Sequence, residues 1–208
     1  MEKVKISELI KQLTDGKRDD YDFVDVIDLD NALNRHLHLG EIDTVVADSV
    51  DSYIRFFNRL DKEENIPIEE RKPVLIYIDS QGGDLMGSFT IIDSIKASET
   101  PVWTINIGMA YSGGFFVFLA GHRRFSYKNA SFLFHEGSTA QWGDAHKFNN
   151  FADFYKRILK RLKNHVIENS EITEEEYEKH IKDDWWLTPE EAIEYGICDE
   201  IVEKVLWK

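Results

Sequence analysis

The chain has 208 residues, 42% of them hydrophobic and 31% charged, which excludes a disordered segment and fits one soluble globular domain over 1–208. Its 25 basic residues face 39 acidic ones, a net charge of −14, so the chain has no footprint for general nucleic-acid or anionic-membrane binding. The single cysteine, Cys198, excludes an internal disulfide, and the longest apolar run, Gly113 to Ala120, is far short of the ~20 residues of a membrane span.

The chain opens on residues of mixed charge rather than a basic-then-apolar leader, so a cytoplasmic location is expected. Ile6, Leu9, Ile10 and Leu13 recur at helical spacing and predict a short amphipathic helix, with a polar loop from Asp15 to Asp22 after it. Arg35 to Leu39 alternates polar and apolar, as a strand with one wet face does. A helix is predicted from about Thr44 to Leu60, burying Val45, Val46, Val50, Ile54, Phe57 and Leu60, and Asp61 to Lys72 reads as a charged connection. Val74 to Ile78 and Val102 to Ile107 are buried-strand runs. Each ends in a glycine-rich turn, Asp79 to Asp84 and Gly108 to Gly114, and each turn leads into a helix. This repeat is the signature of βαβ units in a parallel sheet with helices on both faces, and ligands then bind beyond the carboxyl ends of the strands. Short strands at Arg124–Tyr127 and Ser131–Phe134 lead to His135, and a long helix runs from Asp144 to about Asn169. Thr173-Glu-Glu-Glu176 has capping-box spacing, Thr188-Pro189 starts a last short helix that Gly196 stops, and Ile197 to Val202 closes as a strand.

Several residues carry candidate chemistry beside a plainer alternative. Gly82-Gly83 lacks both the spacing of a dinucleotide fingerprint and the Lys-Ser/Thr of a P-loop. It reads as a tight turn, or as backbone N–H groups that stabilise an oxyanion. Ser112, in Ala-Tyr-Ser-Gly-Gly, lies at a strand-to-helix turn that suits a nucleophile or a capping serine. His135 ends an apolar strand and is either functional or a satisfied structural histidine. His36-Leu-His38 points two rings to one face and, without a third ligand nearby, reads as solvent-facing. Asp183-Asp184 could hold a metal, hydrogen-bond an imidazole, or form a solvated helix end. Tyr155 to Lys163 is a basic patch, either the wet face of the long helix or a surface for an acidic neighbour.

Taken together these motifs resemble the proteolytic subunit of the Clp protease, the ClpP family of serine peptidases. The family's Asn-Ser-Pro-Gly-Gly is here Asp79-Ser-Gln-Gly-Gly83, and its Gly-x-Ala-(Ala/Tyr)-Ser-Met-Gly is Gly108-Met-Ala-Tyr-Ser-Gly-Gly114. The strand ending Met-Ile-His-Gln-Pro is Phe132-Leu-Phe-His-Glu-Gly137, and the last motif runs from Asp184 to Asp199. The likeness is clear from Val74 to Val202 and faint from Leu37 to Leu60, while the first 30 residues, a divergent N-terminal segment, show no clear match. Asp79, Gln81, Gly113 and Glu136-Gly137 depart from the pattern, Leu75 replaces a docking-pocket tyrosine while Tyr77 is kept, and Lys182-Asp183 reverses the acidic-Arg pair of an inter-ring contact. These departures mark a divergent, phage- or prophage-type member.

The resemblance implies an α/β chain with the ClpP/crotonase-like spiral of ββα units, in which residues 144–169 form a protruding handle helix. It implies Ser112 as nucleophile, His135 as general base, Asp184 as the carboxylate that orients it, and the N–H groups of Gly83 and Gly113 as oxyanion hole. The expected activity is ATP-dependent serine endopeptidase cleavage of unfolded polypeptides inside stacked, heptameric homo-oligomeric rings, with a Clp-type AAA+ ATPase as partner. No metal or organic cofactor, nucleic acid or membrane is expected. The rival readings are an ATPase-independent peptidase with a dedicated role such as phage protein maturation, a catalytically silent ring or scaffold subunit, and an acyl-CoA enzyme of the crotonase type.

Overall fold

The computed structural model describes residues 31, 33–137, 139–140 and 142–204; the helix expected at Ile6 to Leu13 and the loop at Asp15 to Asp22 lie outside them. Strand β1 (His36–Leu39) is followed by helix α1 (Thr44–Glu63), whose N-terminus is capped by Asp43 accepting the Val46 N–H at 2.7 Å. Ala47, Val50, Ile54, Phe57 and Asp61 form its buried stripe, at spacings of three and four residues. Val45 lies roughly opposite that stripe and is 71% exposed, and Val46 and Leu60 are half-buried at its flanks, contrary to the sequence expectation for all three. The helix also runs on to Glu63, so Asp61 is a buried helical residue rather than part of a charged connection.

Two strand–turn–helix passes follow as expected: β2 (Val74–Ser80) with α2 (Leu85–Ala97), then β3 (Val102–Tyr111) with α3 (Gly113–Leu119). Next come β4 (Arg123–Tyr127), β5 (Ser131–Phe134), α4 (Ala145–Glu168), α5 (Glu174–His180), β6 (Trp185–Leu187), α6 (Pro189–Glu194) and β7 (Glu200–Val202). The sheet runs β1-β2-β3-β4-β7, all parallel, while β5 pairs with the far end of β3 and β6 runs antiparallel to β5. The Thr173 and Thr188 capping boxes both form, and Gly196 takes a φ of 62° after α6.

Strand β3 extends past Ile107, where the sequence suggests it ends, because it kinks instead of stopping. Ile78 lies opposite Asn106, but Ser80 lies opposite Ala110, so β3 absorbs extra residues at a bulge. Asp79 braces it: its carboxylate accepts the Met109 N–H at 3.2 Å and packs against Gly108, where a Cβ would sit 2.5 Å from Asp79 Oδ1. One strand thereby serves two neighbours, β4 along Trp103 to Asn106 and β5 along Met109 to Tyr111.

The main core lies between one sheet face and the helices, with Ile76, Ile78, Val102 and Ala110 meeting Ile54, Ile91, Phe115 and Phe118. On the other face Leu75, Tyr77, Ile105, Phe125 and Val202 form a second cluster, made of strand side chains alone among the described residues. Among the described residues the helices expected on both faces are thus found on one. Among the described residues no helix is long and apolar enough to cross a membrane.

The largest departure from the sequence reading is a buried ion pair. Arg35, at φ 63°, sends its guanidinium under the sheet to both carboxylate oxygens of Asp61, at 2.8 and 2.5 Å. It also donates to the Lys72 carbonyl at 2.9 Å, and Thr100 Oγ1 donates to Asp61 at 2.8 Å. The pair ties the entrance of β1 to the end of α1 and the entrances of β2 and β3. Removing one partner strands the other charge without water, so Asp61→Ala should cost about 3–5 kcal/mol, read as a lower urea midpoint. The apolar double replacement of Arg35 and Asp61 should recover part of that loss.

Candidate active site

The centre of the site is a turn that few residues tolerate. Ser112 sits between β3 and α3 at φ 51° and ψ −119°, and its N–H donates to the Leu133 carbonyl of β5 at 2.9 Å. This conformation costs a residue with a Cβ about 1–3 kcal/mol, and it swings the side chain out of the sheet. The turn fits because its neighbours are nearly bare backbone. A Cβ on Gly82, at φ 99°, would come within 2.8 Å of both Gly113 N and Ser112 Cβ. A Cβ on Gly113 would meet Ser88 Oγ at 2.5 Å, and one on Gly114 would meet Ser80 Cβ at 2.9 Å. The glycines are therefore demanded by close approach of two turns.

Gly83 forms an isolated parallel bridge with Ile42. The bonds come from its flanking residues: the Ile42 N–H donates to Gly82 O at 2.9 Å, and the Asp84 N–H to Ile42 O at 2.7 Å. In such a bridge the middle residue's own N–H points away from the bridge partner. The ideal Cβ position of Gly113 lies 3.4 Å from Gly83 N, so the two amides are neighbours.

His135 and Asp184 meet through strand register. β5 and β6 pair Phe132 with Leu187, Leu133 with Trp186 and Phe134 with Trp185, and the next pair in that antiparallel series is His135 with Asp184. His135 Nδ1 lies 3.1 Å from Asp184 Oδ1. Trp185 fixes this end of β6, stacked on His180 at 4.0 Å between ring centres and edge-on to Tyr195 at 4.9 Å. Asp183 falls one residue outside the pairing, and its N–H turns back to the His180 carbonyl.

Ser112, Gly83, Gly113 and His135 line one open cleft of about 500 Å³, together with Leu85, Phe116, Leu133, Glu136, Tyr155, Leu162 and Trp186. Asp184 reaches this cleft only through His135; its side chain is 58% exposed. The structure thus brings four of the five sequence-selected residues to one surface and sets the fifth behind the histidine. Tyr155 and Leu162, which the sequence places inside the basic patch of α4, are cleft residues, and their own spacing of two helical turns is the signal that sets them on one face. His36 and His38 do share a face, but both rings pack on Tyr77, at 5.4 and 5.3 Å, in the second cluster. Cys198 is buried, its thiol pushed up to about 11 by burial, and is no nucleophile at neutral pH.

Comparison with known proteins places this geometry in context. The sequence model of the family described as Clp protease matches residues 28–205. The ATP-dependent Clp protease proteolytic subunit 2 of Treponema pallidum (strain Nichols) is 30% identical over 135 residues, covering 64% of this chain and 68% of the relative.

The outer wall of the cleft is held by a buried histidine. His165 of α4 donates from Nε2 to the Phe116 carbonyl of α3 at 2.8 Å, and Nδ1 accepts from the Asn169 side-chain amide at 3.2 Å. The ring is therefore neutral, with the Nε2 proton fixed, and it keys α4 onto the helix that starts beside Ser112. Burial, above all, lowers its pKa from 6.5, with Lys96 acting in the same direction and the Phe116 bond, Glu168 and Asp93 acting against it. The unfolded chain then takes up this proton first as pH falls. Stability from His165 is complete above 6.5 and is lost as pH drops from there through the lower folded value. His165→Gln, which keeps a donor for Phe116 and cannot titrate, should flatten the fall in urea midpoint between about pH 7 and pH 5.

Proposed function

The chain belongs to the Clp protease family and is a divergent Clp-type peptidase, and from that premise we propose that it is a serine endopeptidase of unfolded polypeptides. Ser112 Oγ attacks the scissile carbonyl carbon while His135 Nε2 takes its proton. Asp184 accepts the Nδ1 hydrogen bond, which fixes the tautomer and stabilises the imidazolium that forms. The N–H groups of Gly83 and Gly113 receive the oxyanion. His135 then gives the proton to the leaving amine, and water attacks the acyl-enzyme by the same route in reverse. The observation that carries this reading is the 3.1 Å contact of Asp184 with His135 Nδ1, which leaves Nε2 for the cleft into which the Ser112 turn opens.

The proposal extends to assembly: stacked homo-oligomeric rings paired through α4 and supplied by a Clp-type ATPase. Helix α4 buries Ile158, Leu162, His165 and Val166 against the chain's own body, while Phe148 and Phe154 are 53% and 44% exposed. Lys163 is already held by Glu174 and Glu178 of the same chain, at 2.6 Å each, so Glu174 is not free for a neighbour. Lys160 and Arg161 take no ion pair among the described residues and remain the basic rim. Contacts at such a rim are worth only ~0.2–1 kcal/mol each and are screened by salt.

A fluorophosphonate probe should label Ser112, identified on the modified peptide. Ser112→Ala should lower kcat on a fluorogenic peptide by on the order of 10⁶. Asp184→Asn should lower it by roughly 10⁴ through the wrong tautomer, with Asp183→Asn close to wild type, and equal losses from the two would refute the register. Light scattering should show double rings dividing into single rings at high salt and after charge reversal at Lys160 and Arg161.

A further inference from the structure

The cleft has an uneven chemical lining. Leu85, Phe116, Leu133, Tyr155 and Leu162 make most of its wall apolar, and Glu136, directly after His135, is the carboxylate among the described lining residues. Glu136 also lines a second cavity between α4 and α5, beside Lys160, Lys163, Tyr177 and Lys182, so it forms the partition between the two. Its N–H donates to the Ile181 carbonyl at 3.3 Å, which anchors that partition to the end of α5.

The charge of Glu136 is not used up by the chain. Lys163, which lines the second cavity with Lys160 and Lys182, holds Glu174 and Glu178, and Glu136 takes no ion pair among the described residues. Its field reaches both walls: after burial, it is what pushes the Tyr155 and Tyr177 phenols up. A half-buried carboxylate at the end of an apolar trough fits a side chain with an aliphatic stem and a cationic head. The same carboxylate repels an acidic side chain, which would lose water without gaining a partner.

We propose that Glu136 makes the cleft selective for polypeptides with a lysine or arginine beside the scissile bond. This rests on the serine endopeptidase reading of the same site. An amphipathic stem covers the half-buried Leu85 or Tyr155 while its ammonium or guanidinium meets Glu136, and an acidic residue at that position is disfavoured.

The test uses the assembled wild-type protein and three fluorogenic peptides identical but for Lys, Leu or Glu beside the scissile bond. The wild type should show kcat/KM about tenfold higher for the Lys than for the Glu peptide, the size of one half-buried ion pair, and the ratio should shrink as salt is raised. Glu136→Gln should bring the ratio close to one, and Glu136→Lys should invert it. Cleavage of all three peptides by Ser112→Ala would overturn the serine reading itself. Cleavage that needs Ser112 while the wild-type ratio is near one, or unchanged in Glu136→Gln, would overturn only the role of Glu136. The salt series decides the matter for wild type alone if a variant does not fold: a Lys-over-Glu ratio indifferent to salt overturns the proposal.

Discussion

Ser112 holds a backbone conformation that a residue with a Cβ resists, and most of the surrounding architecture serves to keep it there. Its N–H is held by the Leu133 carbonyl, which is within reach only because β3 kinks at Gly108 and brings β5 alongside its far end. The kink in turn depends on Asp79 filling the gap opposite the bulge. From β5 the chain continues into His135, and the β5–β6 register then sets Asp184 against the histidine. Serine, histidine and carboxylate are thus consecutive consequences of one bent strand. A flat β3 would leave β5 without an edge, and the turn at Ser112 without the acceptor that opposes its relaxation.

The parts legible in the sequence are those governed by local rules. The apolar β-branched runs of β2 and β3 announce buried strands, and the glycine pairs announce close backbone approach at the strand ends. Both threonine capping boxes, the Pro at the start of α6 and Gly196 behave as short-range chemistry requires. Ser112, His135 and Asp184 stand out because motif and order coincide with a known family. What the sequence hides is long-range compensation. Asp61 reads as loop charge because nothing local shows that Arg35, 26 residues earlier, will share its burial. The continuation of β3 through Gly108 is equally invisible, since a glycine-rich segment signals a turn unless one knows that Asp79 lies opposite. Phe148 and Phe154 carry the periodicity of a core stripe yet stay exposed, because periodicity does not reveal what a helix packs against.

Helix α4 has two characters along its length. Its later turns are fixed by Ile158, Leu162, Val166 and the His165 link to α3. Its earlier turns carry exposed aromatic rings and little contact with the body. Tyr155 lies where the two meet and also forms part of the cleft wall. The early turns therefore belong to a helix whose later turns are coupled, through Phe116 and Leu162, to the wall of the candidate cleft.

The two halves of the proposed machinery differ in how firmly they are built. Ser112 is half-buried at the turn after the central strand β3, held against Gly82 and the Leu133 carbonyl, whereas Asp184 stands at the end of a three-residue strand paired on one side and is more than half exposed. Short edge strands open at a small fraction of the global free energy, in units that exchange their amides independently of the core. The carboxylate arm is therefore the first part to come undone and the nucleophile turn among the last. Under the triad proposed above, opening of β6 would leave Ser112 presented and His135 without its orienting carboxylate, while the rest of the fold stays in place. In that reading the β5–β6 ladder and the few cross-strand contacts around Trp185 would set what fraction of molecules is competent at any moment.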